Sequence, residues 1–302
     1  MAFPARACAL VGRFTDPQVA ETLNVLVPHL VSRKVTVLVG TDTPLPAHPP
    51  GHLERIASDE VGRRADLVIA VGGDGTLLYA AGLVARHGVP LLGINRGRVG
   101  FLTDVMPEQL IAKVDAALQG ALVKDERPLL AARLEGASGI AETLALNDVV
   151  VQRLATGRMV DVEAYVNGRY LNTYAGDGVV VASATGSTAY ALSCGGPIVE
   201  PDLDVWVLAP ISPHTLSDRP IVVRAGSKIQ LRMSDRFESR AQVTCDGSAL
   251  GDLEQGDNLY VEGADAQITL LHPPGYDYYR LLRSKLHWGR GAYGGQNNGD
   301  AD

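Results

Sequence analysis

Asp66-Leu-Val-Ile-Ala-Val-Gly-Gly-Asp-Gly-Thr-Leu-Leu78 is the stretch on which the fold turns. Leu67 to Val71 is a short run of apolar, mostly branched residues, the pattern of a strand buried on both faces of a parallel sheet. The chain then turns through Gly72, Gly73 and Gly75, with one carboxylate, Asp74, among them. Thr76 opens a stretch that reads as helix and ends near Gly88. Strand, glycine turn and helix N-terminus make an anion site, because glycines let the backbone approach closely and free N–H groups meet phosphate oxygens. A carboxylate there should repel a phosphate. Either it acts on a hydroxyl beside the phosphate, or on a metal bound to it, or the turn is only structural with Asp74 as its N-cap.

Outward from this unit, residues 7–12 read as a first strand, 16–31 as a helix and 35–39 as a second strand. Val19, Leu23, Leu26, Val27 and Leu30 fall on one face of that helix. The proline-rich segment 43–51 is a loop, and a short helix is expected over 53–64. Residues 89–94 form the next strand and 107–118 a helix, with Pro107 in the first turn and Gly120 at the end. This alternation predicts an α/β N-terminal domain (1–122) with an open, mostly parallel sheet. Beyond it apolar runs become short and helices scarce, so 123–275 is a β-rich C-terminal domain. Asn167-Gly168 between two strand-like runs is its best hairpin signal. Residues 276–285 read as a last helix within a C-terminal segment, 276–302.

A chain of 302 residues buries roughly three-quarters of its unfolded surface, and two domains suit that length. With 46% apolar and 20% charged residues it reads as an ordinary soluble protein. A net charge of −7 argues against a general nucleic-acid binder. Cys8, Cys194 and Cys245 include no CxxC pair, which fits a reducing compartment better than disulfides or zinc. The start of the chain lacks an ordered leader pattern. No run approaches the ~18 apolar residues of a membrane span, so the expected setting is the cytoplasm, with no membrane partner.

None of the five lysines follows Gly and precedes Ser or Thr, so there is no P-loop. Leu78 stands where a dinucleotide fingerprint needs a third glycine. His48 and His52 flank prolines in the loop, so no metal ligand is assigned to them, and His214 has no Ser nucleophile signature nearby. What gives the glycine turn chemical weight is its company. Asn147-Asp148 precedes Val149–Val151, Asp177 sits in Gly176-Asp-Gly178, and Ala184-Thr-Gly-Ser-Thr-Ala-Tyr-Ala-Leu-Ser193 suits a wall for a flat, hydroxyl-rich ligand. Each alone reads as a turn or cap. Three such clusters on a β domain facing a glycine turn suggest an interdomain cleft.

These motifs, with Leu92–Thr103, Gly195–Val199, Pro213–Leu216, Arg219-Pro220 and Lys285–Gly289, recur in order and resemble the bacterial NAD kinase family over about residues 7–289. The glycine–aspartate turn is shared with diacylglycerol and sphingosine kinases and with phosphofructokinases. The Thr185–Tyr190 motif after Gly176-Asp-Gly178 is more diagnostic. The resemblance implies transfer of the ATP γ-phosphate, or a phosphate of polyphosphate, to the 2′-hydroxyl of the adenosine ribose of NAD, with Mg²⁺ or Mn²⁺. Asp74 would be the general base, and Gly72, Gly73, Gly75 and Thr76 would line the phosphates.

By the same resemblance Asn147 and Asp148 would hold ribose hydroxyls, Asp148 standing where the family usually has Glu. Asp177 would fix the nicotinamide end. Thr188, Ala189, Tyr190 and Ser193, with Ala191 and Leu192 between them, would wall the base and ribose. Phe101 and Leu102 would give apolar contact and Arg158 would meet the pyrophosphate. Ala175 takes a position where some relatives carry a large charged residue, and bears on the choice between NAD and NADH. Relatives are homodimers or homotetramers, and their last segment packs back on the first domain. The competing expectations are a lipid kinase of the diacylglycerol or sphingosine type, and a non-catalytic dinucleotide sensor.

Overall fold

The computed structural model describes residues 5–96, 100–137, 139–154, 159–235 and 240–287. In the first part β1 (Ala7–Gly12), α1 (Pro17–Ser32), β2 (Thr36–Gly40), β3 (Leu53–Ile56), α2 (Val61–Arg64), β4 (Leu67–Gly72), α3 (Asp74–Val84), β5 (Leu91–Asn95) and α4 (Leu110–Leu118) follow one another. The order across the sheet is β5-β4-β1-β2-β3, every neighbouring pair parallel.

The apolar run that reads as a doubly buried strand is one. Leu67, Ile69 and Val71 join the core beneath α1 and α4, while Val68 and Ala70 join the core beneath α3. Period-two alternation therefore serves both faces at once. Asp16 caps α1, its carboxylate accepting from the Gln18 N–H at 2.9 Å.

Two expectations are corrected here. Residues 53–56 are a strand, not the start of a helix, and helix is confined to four residues at 61–64 beyond a 3₁₀ turn at 58–60. Pairing with β2 overrides local preference, and the edge position leaves Glu54 and Arg55 exposed to water. Nor is the parallel sheet a separate open sheet. Its β5 edge is occupied by a strand from the end of the chain, and the whole is an 11-stranded mixed sheet.

That second part comprises β6 (Val123–Gly136), β7 (Gly139–Ala145), β8 (Asp148–Arg153), β9 (Val160–Val166), β10 (Arg169–Gly176), β11 (Gly178–Ala182), α5 (Tyr190–Ser193), β12 (Val205–Ile211), β13 (Ile221–Arg224), β14 (Ile229–Met233), β15 (Ala241–Cys245), β16 (Ser248–Leu253), β17 (Asn258–His272) and α6 (Tyr278–Leu286). β17 is the seam. It pairs parallel to β5 at Leu270 and Leu91, and antiparallel to β6 and β14. A second, antiparallel sheet runs β13-β12-β11-β8-β15-β16. The two sheets face each other across a core containing Trp206, Val162, Val179, Leu231, Val243 and Leu259. Asn167 and Gly168 take the two-residue turn between β9 and β10 with φ of 52° and 73°.

Candidate active site

At the end of β4 the chain enters α3 with Gly73 in the cap position, so Asp74 is the first helical residue rather than the cap. Its carboxylate is held from outside the helix. Oδ2 accepts from the Phe101 N–H at 2.7 Å; Oδ1 accepts from the N–H groups of Leu102 at 3.0 Å and Thr103 at 3.2 Å, and from the Thr103 hydroxyl at 3.3 Å. Three successive N–H groups thus form a nest around one carboxylate. A Cβ on Gly100 would collide with that carboxylate, so the loop comes this close only through glycine. Asn95, at the end of β5, donates to the carbonyl and hydroxyl of Thr103 and braces the loop from behind.

Beside the turn lies a cavity of about 330 Å³ lined by Gly12, Arg13, Asp42, Thr43, Gly75 and Thr76. It lies where β1 and β4 leave the sheet for helices on opposite faces, the crevice in which open α/β sheets take their ligands. Tyr79 closes one side, its hydroxyl donating to Asp42 at 2.9 Å. A second space of about 290 Å³ runs from Gly75 and Tyr79 across to Thr143 and Asp246 in the other half.

Asp246 is a residue that sequence reasoning missed. It occupies the turn between β15 and β16, and its carboxylate accepts from the N–H groups of Leu146 (2.7 Å), Asn147 (2.8 Å) and Asp148 (3.1 Å). Asp246-Gly247 between two strand-like runs is a hairpin signal that could have marked the turn, though not its long-range partner. The arrangement repeats the Asp74 device: a carboxylate from one segment fixes three consecutive amides of another. Asn147 and Asp148 are presented by that grip. Asp148 is 7% exposed, and its carboxyl is raised to about 6 by burial and by the charge of Asp246, against a bond from the Tyr190 N–H. Burial also raises Asp246, against its three amide bonds.

The 184–193 motif packs onto the same point. The Ser183 hydroxyl donates to the Leu146 carbonyl at 2.5 Å and accepts from the Gly186 N–H at 3.1 Å. A Cβ on Gly186 would collide with the Asn147 carbonyl. Tyr190 faces Asp148 and Asp177; burial pushes its phenol up, helped by Cys194 and by those two carboxylates. Asp177 is ion-paired with Arg153 at 2.5 Å. Thr188, Ala189 and Leu192 are half-buried and Ser193 is exposed, whereas Ala191 is fully buried in the apolar cluster behind the motif. Leu102 is buried in the core beneath α3, and Phe101 is half-buried. The Ala175 carbonyl accepts from the backbone N–H of His214 at 2.9 Å. Arg158 and the end of the 285–289 motif lie outside the described residues.

The geometry can therefore hold phosphates at the helix N-terminus that carries Asp74 and, across the space from Gly75 to Asp246, a hydroxyl-bearing ligand beside paired carboxylates. Residues 10–122 match the ATP-NAD kinase N-terminal domain and residues 146–272 match the ATP-NAD kinase C-terminal domain. The chain belongs to the NAD kinase family.

It is 43% identical over 291 residues to the NAD kinase of Nitrosococcus oceani, covering 96% of this chain and 99% of that protein. The NAD kinase of Methylococcus capsulatus is 42% identical over 284 residues, 94% of this chain and 97% of that one. Among solved structures, yeast NADH kinase complexed with NADH superposes with a TM-score of 0.89 at 23% identity, covering 97% of this chain and 90% of that chain. An NAD kinase from Archaeoglobus fulgidus in complex with ATP gives 0.73 at 27% identity, covering 93% and 98%. These matches support neither the lipid-kinase nor the sensor alternative. No described helix is long and apolar enough to cross a membrane.

Proposed function

We propose that the chain is an NAD kinase, transferring the ATP γ-phosphate to the 2′-hydroxyl of the adenosine ribose of NAD with Asp74 as general base. The observation that carries this reading is the nest around Asp74. Oδ1 receives three donors and Oδ2 one, so Oδ2 keeps the acceptor capacity to take a hydroxyl proton. The carboxylate is thereby aimed before substrate arrives. As the 2′-oxygen attacks phosphorus, the proton passes to Oδ2 and the bond to ADP breaks. Gly72, Gly73, Gly75 and Thr76 contribute backbone around the phosphates, where the positive end of α3 favours the anion.

Asn147 and Asp148 take the ribose hydroxyls; Asp177 takes the nicotinamide end. Tyr190, with Thr188, Ala189, Leu192 and Ser193, flanks base and ribose, and Arg158 meets the pyrophosphate. We place Ala191 behind this wall as packing. A small Ala175 leaves room that bears on NAD against NADH. Among the described residues no three His, Cys, Asp or Glu side chains are grouped as metal ligands. A divalent ion, Mg²⁺ or Mn²⁺, is read as entering with ATP, as part of the substrate.

The division into 1–122, 123–275 and 276–302, an assembly of two or four copies and a cytoplasmic setting belong to the same proposal. The first turn of the last helix bonds Val199 and Glu200, through Tyr278 at 3.2 Å and Tyr279 at 2.7 Å. Purified protein with NAD, MgATP or polyphosphate, assayed for NADP, tests the reading. NADP is the expected product; NAD binding without NADP under every donor would overturn it.

A further inference from the structure

Away from the substrate groups, four charged side chains meet where the two halves of the molecule join, two of them buried and the Asp104 and Asp125 side chains 15% and 16% exposed. His272, the last residue of β17, is 1% exposed. Its Nδ1 faces Oδ2 of Asp104 at 2.9 Å and its Nε2 faces Oδ2 of Asp125 at 3.2 Å. Arg127, 3% exposed, grips the same Asp125 with two donors at 2.7 and 2.5 Å, and its third nitrogen donates to the Thr185 hydroxyl at 3.2 Å. The Tyr276 ring stacks on the imidazole with centroids 3.9 Å apart.

With both carboxylates ionised they only accept, so both ring nitrogens donate, which is the imidazolium form. Two anions and two cations then make a neutral, largely buried group, the condition under which such charges are tolerated. Each end of this chain of contacts reaches the site. Asp104 directly follows Phe101, Leu102 and Thr103, whose amides hold Asp74. Thr185 opens the motif that packs on Asn147. Among the described residues Oδ1 of Asp104 is buried without a partner, so the imidazolium is the compensation this carboxylate has.

We propose that His272 is a positioning residue of the phosphoryl transfer: as an imidazolium it ties the loop that aims Asp74 to the strand that anchors the Thr185 motif. The proposal rests on the kinase reading above. The groups facing the ring are Asp104 from the 101–105 loop, Asp125 and, through it, Arg127 from β6, and Tyr276 from the segment before α6. Burial works against the charged ring, but its bonds to Asp104 and Asp125 outweigh this and hold its pKa above the usual 6.5. Because the folded value is raised, the strap is complete at low pH and is lost as pH rises through that folded value.

The test compares wild type with His272→Gln and His272→Arg. Glutamine lacks the charge; arginine keeps charge and donors on both sides at every working pH. For wild type, kcat at saturating NAD and ATP should fall on the alkaline side. His272→Gln should lower kcat by about tenfold or more with little change in KM for NAD, because a small misplacement of Asp74 costs the chemical step. His272→Arg should recover most of that loss and flatten the alkaline fall.

Asp104→Asn removes the other end of the strap and should reproduce the kcat loss, so the proposal stays testable if His272→Gln fails to fold. Wild-type kcat in His272→Gln or Asp104→Asn, or an arginine variant as impaired as the glutamine one, would overturn the proposal. A readout independent of turnover is the ring ¹⁵N shift of His272: imidazolium at neutral pH is expected, and a neutral ring there would overturn the strap. Wild type that makes no NADP would instead sink the kinase reading.

Discussion

Asp74 and Asp148 face opposite demands. As the proposed base, Asp74 must be aimed without being consumed by its own bonds, and three backbone amides supply most of that aim. Gly100→Ala puts a methyl group into the Asp74 carboxylate. It should lower turnover at least about tenfold while the fold survives, measured as kcat against the far-ultraviolet circular dichroism of the variant. Asp148 instead carries a cost. Its folded pKa, raised from 3.8 to about 6 by burial and by Asp246, means that the unfolded chain loses this proton first. Stability therefore falls as pH rises from about 4 to about 6, and above that the whole penalty, about 3 kcal/mol, is present. Asp148→Asn should raise the melting temperature at pH 7 while weakening NAD binding. A variant that melts lower and binds equally well would show that the carboxylate is there for packing.

Among these residues, the glycine turn, Asn147, Asp148, Asp177 and the 184–193 motif could be picked out as candidates because each is written in adjacent letters. Asp104, Asp125, Arg127, Asp246 and His272 were not. Their roles come from pairings such as 104 with 272 and 146–148 with 246, which tertiary structure alone brings together.

At the scale of elements, strands and helices that bury two faces or a clean stripe could be read directly. β4 and α1 fall where the apolar pattern puts them, because that pattern is the burial pattern. Residues 53–56 could not be read so, since Leu-Glu-Arg-Ile is held extended by its neighbour β2 rather than by its own composition. The sandwich offers a direct test of packing. Trp206 is 1% exposed in the core between the sheets, and Trp206→Ala should cost about 3–5 kcal/mol in denaturant unfolding. A loss under about 1 kcal/mol would mean that the two sheets are not packed there to native density.

For the whole molecule, the sequence marks two halves but hides the strand that joins them. β17 begins in the sandwich and ends beside β5, giving one continuous sheet across both. Unfolding either half would strip a partner from the other, so calorimetry should show one cooperative transition. The same continuity brings the phosphate turn and the paired carboxylates to face each other across a fixed span, with Asp74 on one side and Asp148 on the other. Asp74→Asn tests that arrangement when turnover and NAD affinity are measured on the same preparation. A kcat lower by about 10²–10⁴-fold with NAD Kd nearly unchanged is expected if Asp74 takes the proton; equal losses in both would make it a residue that shapes the site instead.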